Sequence, residues 1–591
     1  MSGPTNLADR LDKLNPFSGS KRKPRDEDDA GDTVDATSMA GGGHAFHHAE
    51  SSKHHLRVSN ALKQFLVREN VLAERDAALD SDKHTNALAA LLDRSHIRVP
   101  PAVVDRSHAL PDYFVSSSHN TYLMAHQLYG TSSVDAYRTT LLSGARCVEI
   151  DAWDHDENAD EPKVTHGFTL VSNIPFRKVC ETVRDVVDTE IDEAIKTGQQ
   201  PPAPILLSLE NHCGDHGQRR LVEIMKEVLG HRLLSEPIRK DNEGIDYDPA
   251  KHVKLGDLSG KVAVIVEYHL PNEAANDSDS SSDSSSDSDS DSDADEAAAR
   301  KTYDDKKKTA ASSIIIPELA ALGVYAQSVK PGDNSWFDPG ELTNAPHHQL
   351  INVSESGLRT HMPWESPKVA AHNARHLMRV FPKGTRISSK NLKQVPFWGV
   401  GAQICALNWQ RFDAAMQVNE AMFDGTDGYV LKPAALRPGG SGSAITAGRR
   451  KRLRLRVAGA SDLPPTEAAK DLKPYLTCVL VHPVDLENEP PKRKTAAYKQ
   501  RRLDFLHRGE NPPPTDPVWD ETLEWEYDDS ELVFLRMLIK SDESFARNPI
   551  MGVSAVRLMY LVPGWSFITM MDLKGRETKC TLLVKFEVED V

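Results

Sequence analysis

Nothing in the 591 residues approaches the roughly 18 consecutive apolar positions that a membrane-spanning helix requires. The opening stretch, MSGPTNLADRLDKLNPFSGSKRKPRD, holds no apolar secretory core, so a secreted protein is not expected. Cysteine is scarce: six residues, at 147, 180, 213, 405, 478 and 580, with no CxxC pair. That excludes a zinc or disulfide framework and leaves ordinary buried thiols in a reducing, cytoplasmic setting. Positive charge is short as well. Lys and Arg number 71 against 87 Asp and Glu, and the net charge of −16 excludes a general nucleic-acid binder. Hydrophobic residues make up 39% of the chain, low enough that part of it is expected not to fold.

What is present divides into blocks. Residues 1–55 are rich in Gly, Ser, Asp and His without aliphatic pattern and read as a disordered tail; His44, His47, His48, His54 and His55 belong to it as solvated polar residues. Over 56–104 apolar residues fall at helical spacing (Val58, Leu62, Phe65, Leu66, then Leu88, Leu91, Leu92), predicting two or three helices and no D-x-D-x-D-G calcium loop. Short apolar runs then alternate with helix-length segments: YFVSSSHN (113–120), ARCVEIDAW (145–153), KVTHG (163–167), PILLSLENH (204–212), KVAVIVEY (261–268), GVYAQSV (323–329), HQLINVSE (348–355) and AQICALNW (402–409). Eight such strands predict a TIM-like βα barrel of the α/β class, in two halves over 105–270 and 313–437. Between the halves, the linker 271–312 contains Asp277–Glu296, with ten Ser, nine acidic residues, one Ala and no cation. It holds −9 of the net −16 and cannot fold alone. After a Gly/Ser linker at 438–450, period-two runs such as RLRLRVAGA, YLTCVLVHPV and CTLLVKFEV predict an all-β sandwich over 451–591.

The chemistry concentrates at the ends of predicted barrel strands. In CVEIDAW the period of two puts Cys147, Glu149, Asp151 and Trp153 on one face. Glu210 ends ILLSLENH, and His119 and Asn120 end the first strand, all where barrel chemistry sits. Three carboxylates and an amide carbonyl are hard oxygen donors suited to Ca²⁺, with Mg²⁺ second because it keeps more of its water. Converging carboxylates would otherwise repel one another at a salt-bridged rim. His119 and His166 (in THGFTL) beside a cation form the pair that phosphodiester cleavage needs, one to stabilise a charged phosphorane and one to protonate the leaving alkoxide.

These segments carry a resemblance. DYFVSSSHNTYL, RCVEIDAW, THGFTL and ILLSLENHCG resemble the first catalytic half of eukaryotic phosphoinositide-specific phospholipase C, and GAQICALNWQ with DGTDGYVLKPAALR resembles the second. An acidic Ser-rich linker between halves and a C2-like sandwich afterwards repeat the family's order over roughly 105–590. The resemblance implies Ca²⁺ ligands at Asn120, Glu149, Asp151 and Glu210, phosphorane stabilisation by His119 and a general acid at His166. Glu149 and Glu210 both remain candidates for the base. It further implies attack by the inositol 2-hydroxyl, a cyclic phosphate intermediate, and release of diacylglycerol and an inositol phosphate. Headgroup contacts fall to Arg379, to Phe381 where the family has a Tyr, and to Asn352 where it has a Ser.

One departure concerns substrate choice. The family grips the 4- and 5-phosphates with two lysines in the strand read here as VAVIVEYHL (262–270), which has none and brings Glu267 instead. A shift toward less phosphorylated phosphoinositides is expected, with Val266→Lys and Tyr268→Lys as the restoring pair unless Lys383 or Arg386 substitutes. Leu128, Phe168 and Leu170 match the family's membrane-inserting ridge, so the expected partners are membrane phosphoinositide lipids met peripherally. In the sandwich, Lys473, Ser541 and Pro549 replace acidic calcium ligands, leaving Asp516 and Glu543. No segment before 105 is long enough for a pleckstrin-homology domain. The competing reading is an inactive lipid-binding or scaffold member, against which stands the complete set of two histidines and four ligands.

Overall fold

A computed structural model of the chain describes residues 28, 31–33, 56–79, 81, 83–124, 131–165, 172–238, 252–267, 315–329, 337, 348–383, 389–464, 472–486, 488–500, 511–542 and 548–591. His166, Leu128, Phe168, Leu170, Tyr268, Arg386, Glu543, the five tail histidines and the acidic insertion 277–296 lie outside the described residues.

Eight parallel strands form a ring: β1 (Tyr113–Val115), β2 (Cys147–Trp153), β3 (Ile205–His212), β4 (Val262–Glu267), β5 (Gln327–Ser328), β6 (Gln349–Ser354), β7 (Leu377–Phe381) and β8 (Ile404–Cys405). Each pairs in parallel with the next, β8 returns to β1, and the bridge Ser117↔Cys147 joins β1 to β2 and closes the barrel. The expected barrel is therefore present, with one strand exchanged. The KVTHG run is no barrel stave. Lys163–Val164 folds back antiparallel on β2 and pairs with Ile174–Pro175. The missing stave is β7, whose apolar run LMRVF is interrupted by a buried arginine and so lacks the continuous hydrophobic signature of a parallel strand.

The pleat sorts each strand into two faces. Tyr113, Val115, Cys147, Leu206, Ala263, Ile265, Leu350, Leu377 and Ile404 fill the barrel interior. Phe114, Val148, Ile150, Leu207, Val264, Val266, Ile351, Met378 and Val380 face outward in a core shared with surrounding helices, among them Phe176–Thr197, Asp215–Leu229 and Ala414–Phe423. Following the interior face toward the strand C-termini replaces this apolar plug by Glu149 and Asp151 on β2, Glu210 on β3, Asn352 on β6 and Arg379 on β7.

The C-terminal region is an antiparallel eight-stranded sheet folded into a sandwich: β9 (Arg450–Ser461), β10 (Pro474–Val481), β11 (Lys492–Lys494), β12 (Val518–Asp528), β13 (Phe534–Ser541), β14 (Ile550–Arg557), β15 (Gly564–Met571) and β16 (Glu577–Asp590). Their order is β11-β10-β13-β14-β15-β16-β9-β12. The helix Ala414–Phe423 docks the barrel onto β13 and β14, where Arg536 donates from Nε and Nη2 to Gln417 Oε1 at 3.1 and 2.8 Å.

The helices predicted in 56–104 are Asn60–Arg68, Glu74–Ala77 and Asn86–Asp93, the first and last capped by Ser59 and Thr85. They pack on the sandwich, with Phe65 edge-on to Trp565 at 5.1 Å. Within the span read as a tail, Asp28 and residues 31–33 have defined places between barrel and sandwich. Asp28 takes Lys540 Nζ at 2.6 Å and Lys492 Nζ at 2.7 Å, and its carbonyl accepts from Arg536 Nη2. Gly31 lies so close to Phe412 and Asp413 that a Cβ would meet Phe412 O at 2.3 Å, and only glycine fits there.

Candidate active site

Strand register assembles the site. Parallel pairing places Asp151 level with Glu210 and, one step deeper, Glu149 level with Ser208; across the mouth Asn352 lies level with Arg379. One carboxylate oxygen each from Glu149, Asp151 and Glu210 can lie within 4.8 Å of the others. Asn120 joins them through backbone geometry. Its φ of 49° lies in the left-handed region that Asn tolerates, and its N–H donates to Glu149 Oε2 at 2.6 Å. Tyr122 Oη donates to Asp151 Oδ2 at 2.5 Å and lies 3.0 Å from Asn120 Oδ1, so one phenol links two members of the set.

The charges are unequally compensated. Arg379 Nη2 donates to Glu149 Oε1 at 2.6 Å, with both side chains nearly sealed from water, and Nη1 donates to Asn352 Oδ1 at 3.2 Å. Burial opposes the guanidinium charge, yet Glu149 beside it raises the Arg379 pKa. Phe381 lies beneath, its ring centroid 5.9 Å from Arg379 Cζ. Among the described residues no cation forms an ion pair with Asp151, Arg379 being paired with Glu149. Burial first, then Glu210 and Glu149, raise its pKa well above the ordinary value against the smaller pull of Tyr122 and Arg379, and its Oδ1 is buried with no hydrogen-bond partner among the described residues. An orphaned buried carboxylate oxygen facing two further carboxylates is what a bound divalent cation would satisfy, and the all-oxygen donor set fits Ca²⁺. Glu210, nearer solvent, lies 3.1 Å from His212 Nε2, and the His212 ring stacks on Trp153 at 4.1 Å.

His119 is held at the rim. Its N–H donates to Leu407 O at 2.7 Å, its Nδ1 lies 2.9 Å from Asn408 Oδ1, and its Nε2 lies 3.9 Å from Glu149 Oε2. The structure thus brings together His119, Asn120, Glu149, Asp151, Glu210, Asn352, Arg379 and Phe381. Tyr122, Tyr137 (which donates to Glu149 O at 2.7 Å) and Asn408 were not singled out from sequence. Only Tyr122 carried a local signal, two residues beyond Asn120 in HNTY.

The lysine question changes with strand parity. Val266 is sealed in the helix-facing core, so the Val266→Lys substitution expected to restore headgroup contacts would instead enter that core. The interior face of β4 runs through Ala263 and Ile265. Lys383 N–H donates to Glu355 Oε1. In the sandwich, Asp516 is already engaged by Arg57 and by the Asp462 N–H.

A closed parallel barrel with clustered carboxylates at its C-terminal mouth, joined to an antiparallel sandwich, defines a two-module protein of barrel-plus-C2 type. Residues 106–268 match the X domain and 319–435 the Y domain of phosphatidylinositol-specific phospholipase C, and 451–567 match the C2 domain. The chain belongs to the eukaryotic phosphoinositide-specific phospholipase C family. It is 31% identical over 510 residues to human 1-phosphatidylinositol 4,5-bisphosphate phosphodiesterase delta-1, covering 82% of this chain and 61% of that protein. It is also 31% identical over 517 residues to the Dictyostelium discoideum 1-phosphatidylinositol 4,5-bisphosphate phosphodiesterase, covering 82% and 59%. The chain therefore spans about three-fifths of the length of these relatives. The crystal structure of L. pealei PLC21 shares the fold at a TM-score of 0.65 and 24% identity, over 89% of this chain and 62% of that one. Among the described residues no helix is long and apolar enough to cross a membrane.

Proposed function

We propose that the chain hydrolyses membrane phosphoinositides to diacylglycerol and an inositol phosphate in a Ca²⁺-dependent reaction at the barrel mouth. The observation that carries this is the convergence of Glu149, Asp151 and Glu210 around the orphaned Asp151 Oδ1, with His119 at the rim. Asn120, Glu149, Asp151 and Glu210 would hold the ion. When bound, Ca²⁺ supplies Lewis-acid stabilisation of phosphoryl charge and lowers the pKa of the attacking inositol 2-hydroxyl. His119 directs a ring nitrogen toward the phosphoryl centre and stabilises its added negative charge. His166, on the resemblance of THGFTL, returns a proton to the diacylglycerol oxygen. Of the two candidate bases, Glu149 has both oxygens engaged by Arg379 and the Asn120 N–H, whereas the Glu210 side chain is 44% exposed and better placed to meet a substrate hydroxyl. Arg379, Phe381 and Asn352 receive the headgroup.

Headgroup preference follows from β4. The interior face carries Ile265 and, one period on, position 267, an acidic residue where a headgroup phosphate would favour a cation. Preference is therefore shifted toward phosphatidylinositol and its 4-monophosphate. Release of water-soluble inositol phosphates from matched vesicles of phosphatidylinositol, its 4-monophosphate and its 4,5-bisphosphate tests both statements. Turnover should vanish in excess chelator, and His119→Ala and His166→Ala should each lose roughly 10²- to 10⁴-fold. Full activity in chelator overturns the mechanism; much faster cleavage of the bisphosphate overturns the preference.

A further inference from the structure

We propose that Asn408 is the positioning residue of His119, fixing the tautomer and the direction of the imidazole from the opposite half of the barrel. The proposal rests on His119 as the group that meets the phosphoryl centre and adds to that reading what holds it there. Asn408 follows β8 at the catalytic end and is completely buried, where a primary amide needs hydrogen-bond partners. Its Oδ1 lies 2.9 Å from His119 Nδ1, and Gln410 Nε2 approaches the same oxygen at 3.4 Å. Two nitrogens converging on one atom identify it as the amide oxygen, so His119 presents Nδ1–H to Asn408 and turns Nε2 to the cleft, 3.9 Å from Glu149 Oε2. A second proton, taken at Nε2, makes the imidazolium whose Nε2–H stabilises phosphoryl charge while Nδ1–H stays on Asn408.

The backbone that carries this amide is itself clamped. Asn408 N–H donates to Asn391 Oδ1 at 2.5 Å and Asn391 Nδ2 donates to Asn408 O at 3.2 Å. Asn391 in turn donates from N and Nδ2 to the two carboxylate oxygens of Asp413, both at 3.0 Å, and Asp413 caps the helix Ala414–Phe423. Asn391 and Asp413 are buried too. The imidazole is thus tied at Nδ1 to Asn408, and the main chain that carries it is fixed by the His119 N–H bond to Leu407 O. A ring so held cannot exchange tautomers without breaking its bond to Asn408, the arrangement by which outer partners orient a working histidine elsewhere.

The test uses the full chain with ¹⁵N-labelled histidine, the His119 resonances being assigned by their loss in His119→Ala. The wild type should show the Nδ1–H tautomer in Ca²⁺-containing buffer. Asn408→Leu, similar in size but without an acceptor, should lose that signature and lower kcat roughly 10- to 100-fold, leaving KM and calorimetric Ca²⁺ affinity near wild type. Asn408→Asp, which keeps the acceptor, should regain the Nδ1–H signal and most of kcat. A wild-type Nε2–H tautomer, or an Asn408→Leu protein with unchanged tautomer and kcat, overturns the proposal. Should Asn408→Leu fail to fold, the wild-type tautomer and the Asn408→Asp rates still decide. A wild type with the Nδ1–H signature but no phosphoinositide hydrolysis would overturn the reaction assignment alone.

Discussion

Arg379 and Glu149 share a place almost without water, and neither can be removed without stranding the other. Truncating one partner of such a pair costs about 3–5 kcal/mol, because the remaining charge is buried uncompensated. Arg379→Met should therefore lose about that much unfolding free energy in chelator. The loss should shrink in millimolar Ca²⁺, since a divalent cation among Glu149, Asp151 and Glu210 supplies the missing positive charge; chemical denaturation in both buffers reads the difference. A second buried residue sets a pH limit. Burial, with His376 stacked at 4.9 Å, depresses the His372 pKa from 6.5 to about 3. The unfolded chain then binds a proton that the folded one refuses between those values. Stability from this group is full above pH 6.5 and is lost as pH falls toward 3, by up to about 1.4 kcal/mol per unit. His372→Gln should flatten that part of the acid limb in urea melts between pH 6.5 and 4.5. Period-two reasoning on CVEIDAW found Glu149 and Asp151 because both lie on one strand. The Arg379–Glu149 pair and the Asn408 clamp join residues 230 and 289 positions apart, which no local pattern encodes.

Among the elements, β4 and β7 show what a run of residues reveals and what it hides. The parity of β4 could not be fixed from VAVIVEYHL alone, because a parallel strand buried on both faces is apolar throughout and shows no alternation. Only the packing distinguishes Ala263 and Ile265 inside from Val264 and Val266 outside. Two substitutions one residue apart should consequently diverge. Glu267→Lys should raise the ratio of bisphosphate to phosphatidylinositol turnover roughly tenfold, the worth of one charge-assisted phosphate contact. Val266→Lys puts an ammonium where the side chain is fully enclosed, and should lower the melting temperature without shifting that ratio. A Val266→Lys protein that gains bisphosphate preference would reverse the assignment of faces. β7 was missed for a related reason: its central Arg379 reads as a surface break, yet it is paid for by Glu149 on the far wall of the barrel.

At the scale of the molecule, the charge distribution is lopsided. The 277–296 segment holds nine of the sixteen net negative charges and lies in the chain between β4 and β5. An anionic bilayer repels such a tract within a Debye length of roughly 8 Å. Deleting 277–296 should raise turnover on anionic vesicles more than on short-chain monomeric substrate, and added salt should narrow the gap; equal rates on vesicles would reduce the tract to a tether. The sequence displayed the division into barrel halves, linker and sandwich because composition changes abruptly at each border. It did not display which module the N-terminal helices join, since Phe65 and Trp565 meet across 500 residues of chain.

The seat of Asp28 has a consequence for the order in which the protein is made. Asp28 is made long before its cradle, which consists of Lys492, Arg536 and Lys540, and Asp32 N–H donates to Leu573 O. Hundreds of residues of chain must follow Asp28 before those partners exist. The segment therefore takes its seat only after the sandwich strands that hold it have been made, and until then the loop 408–413 lacks the support of Gly31 against Phe412 and Asp413.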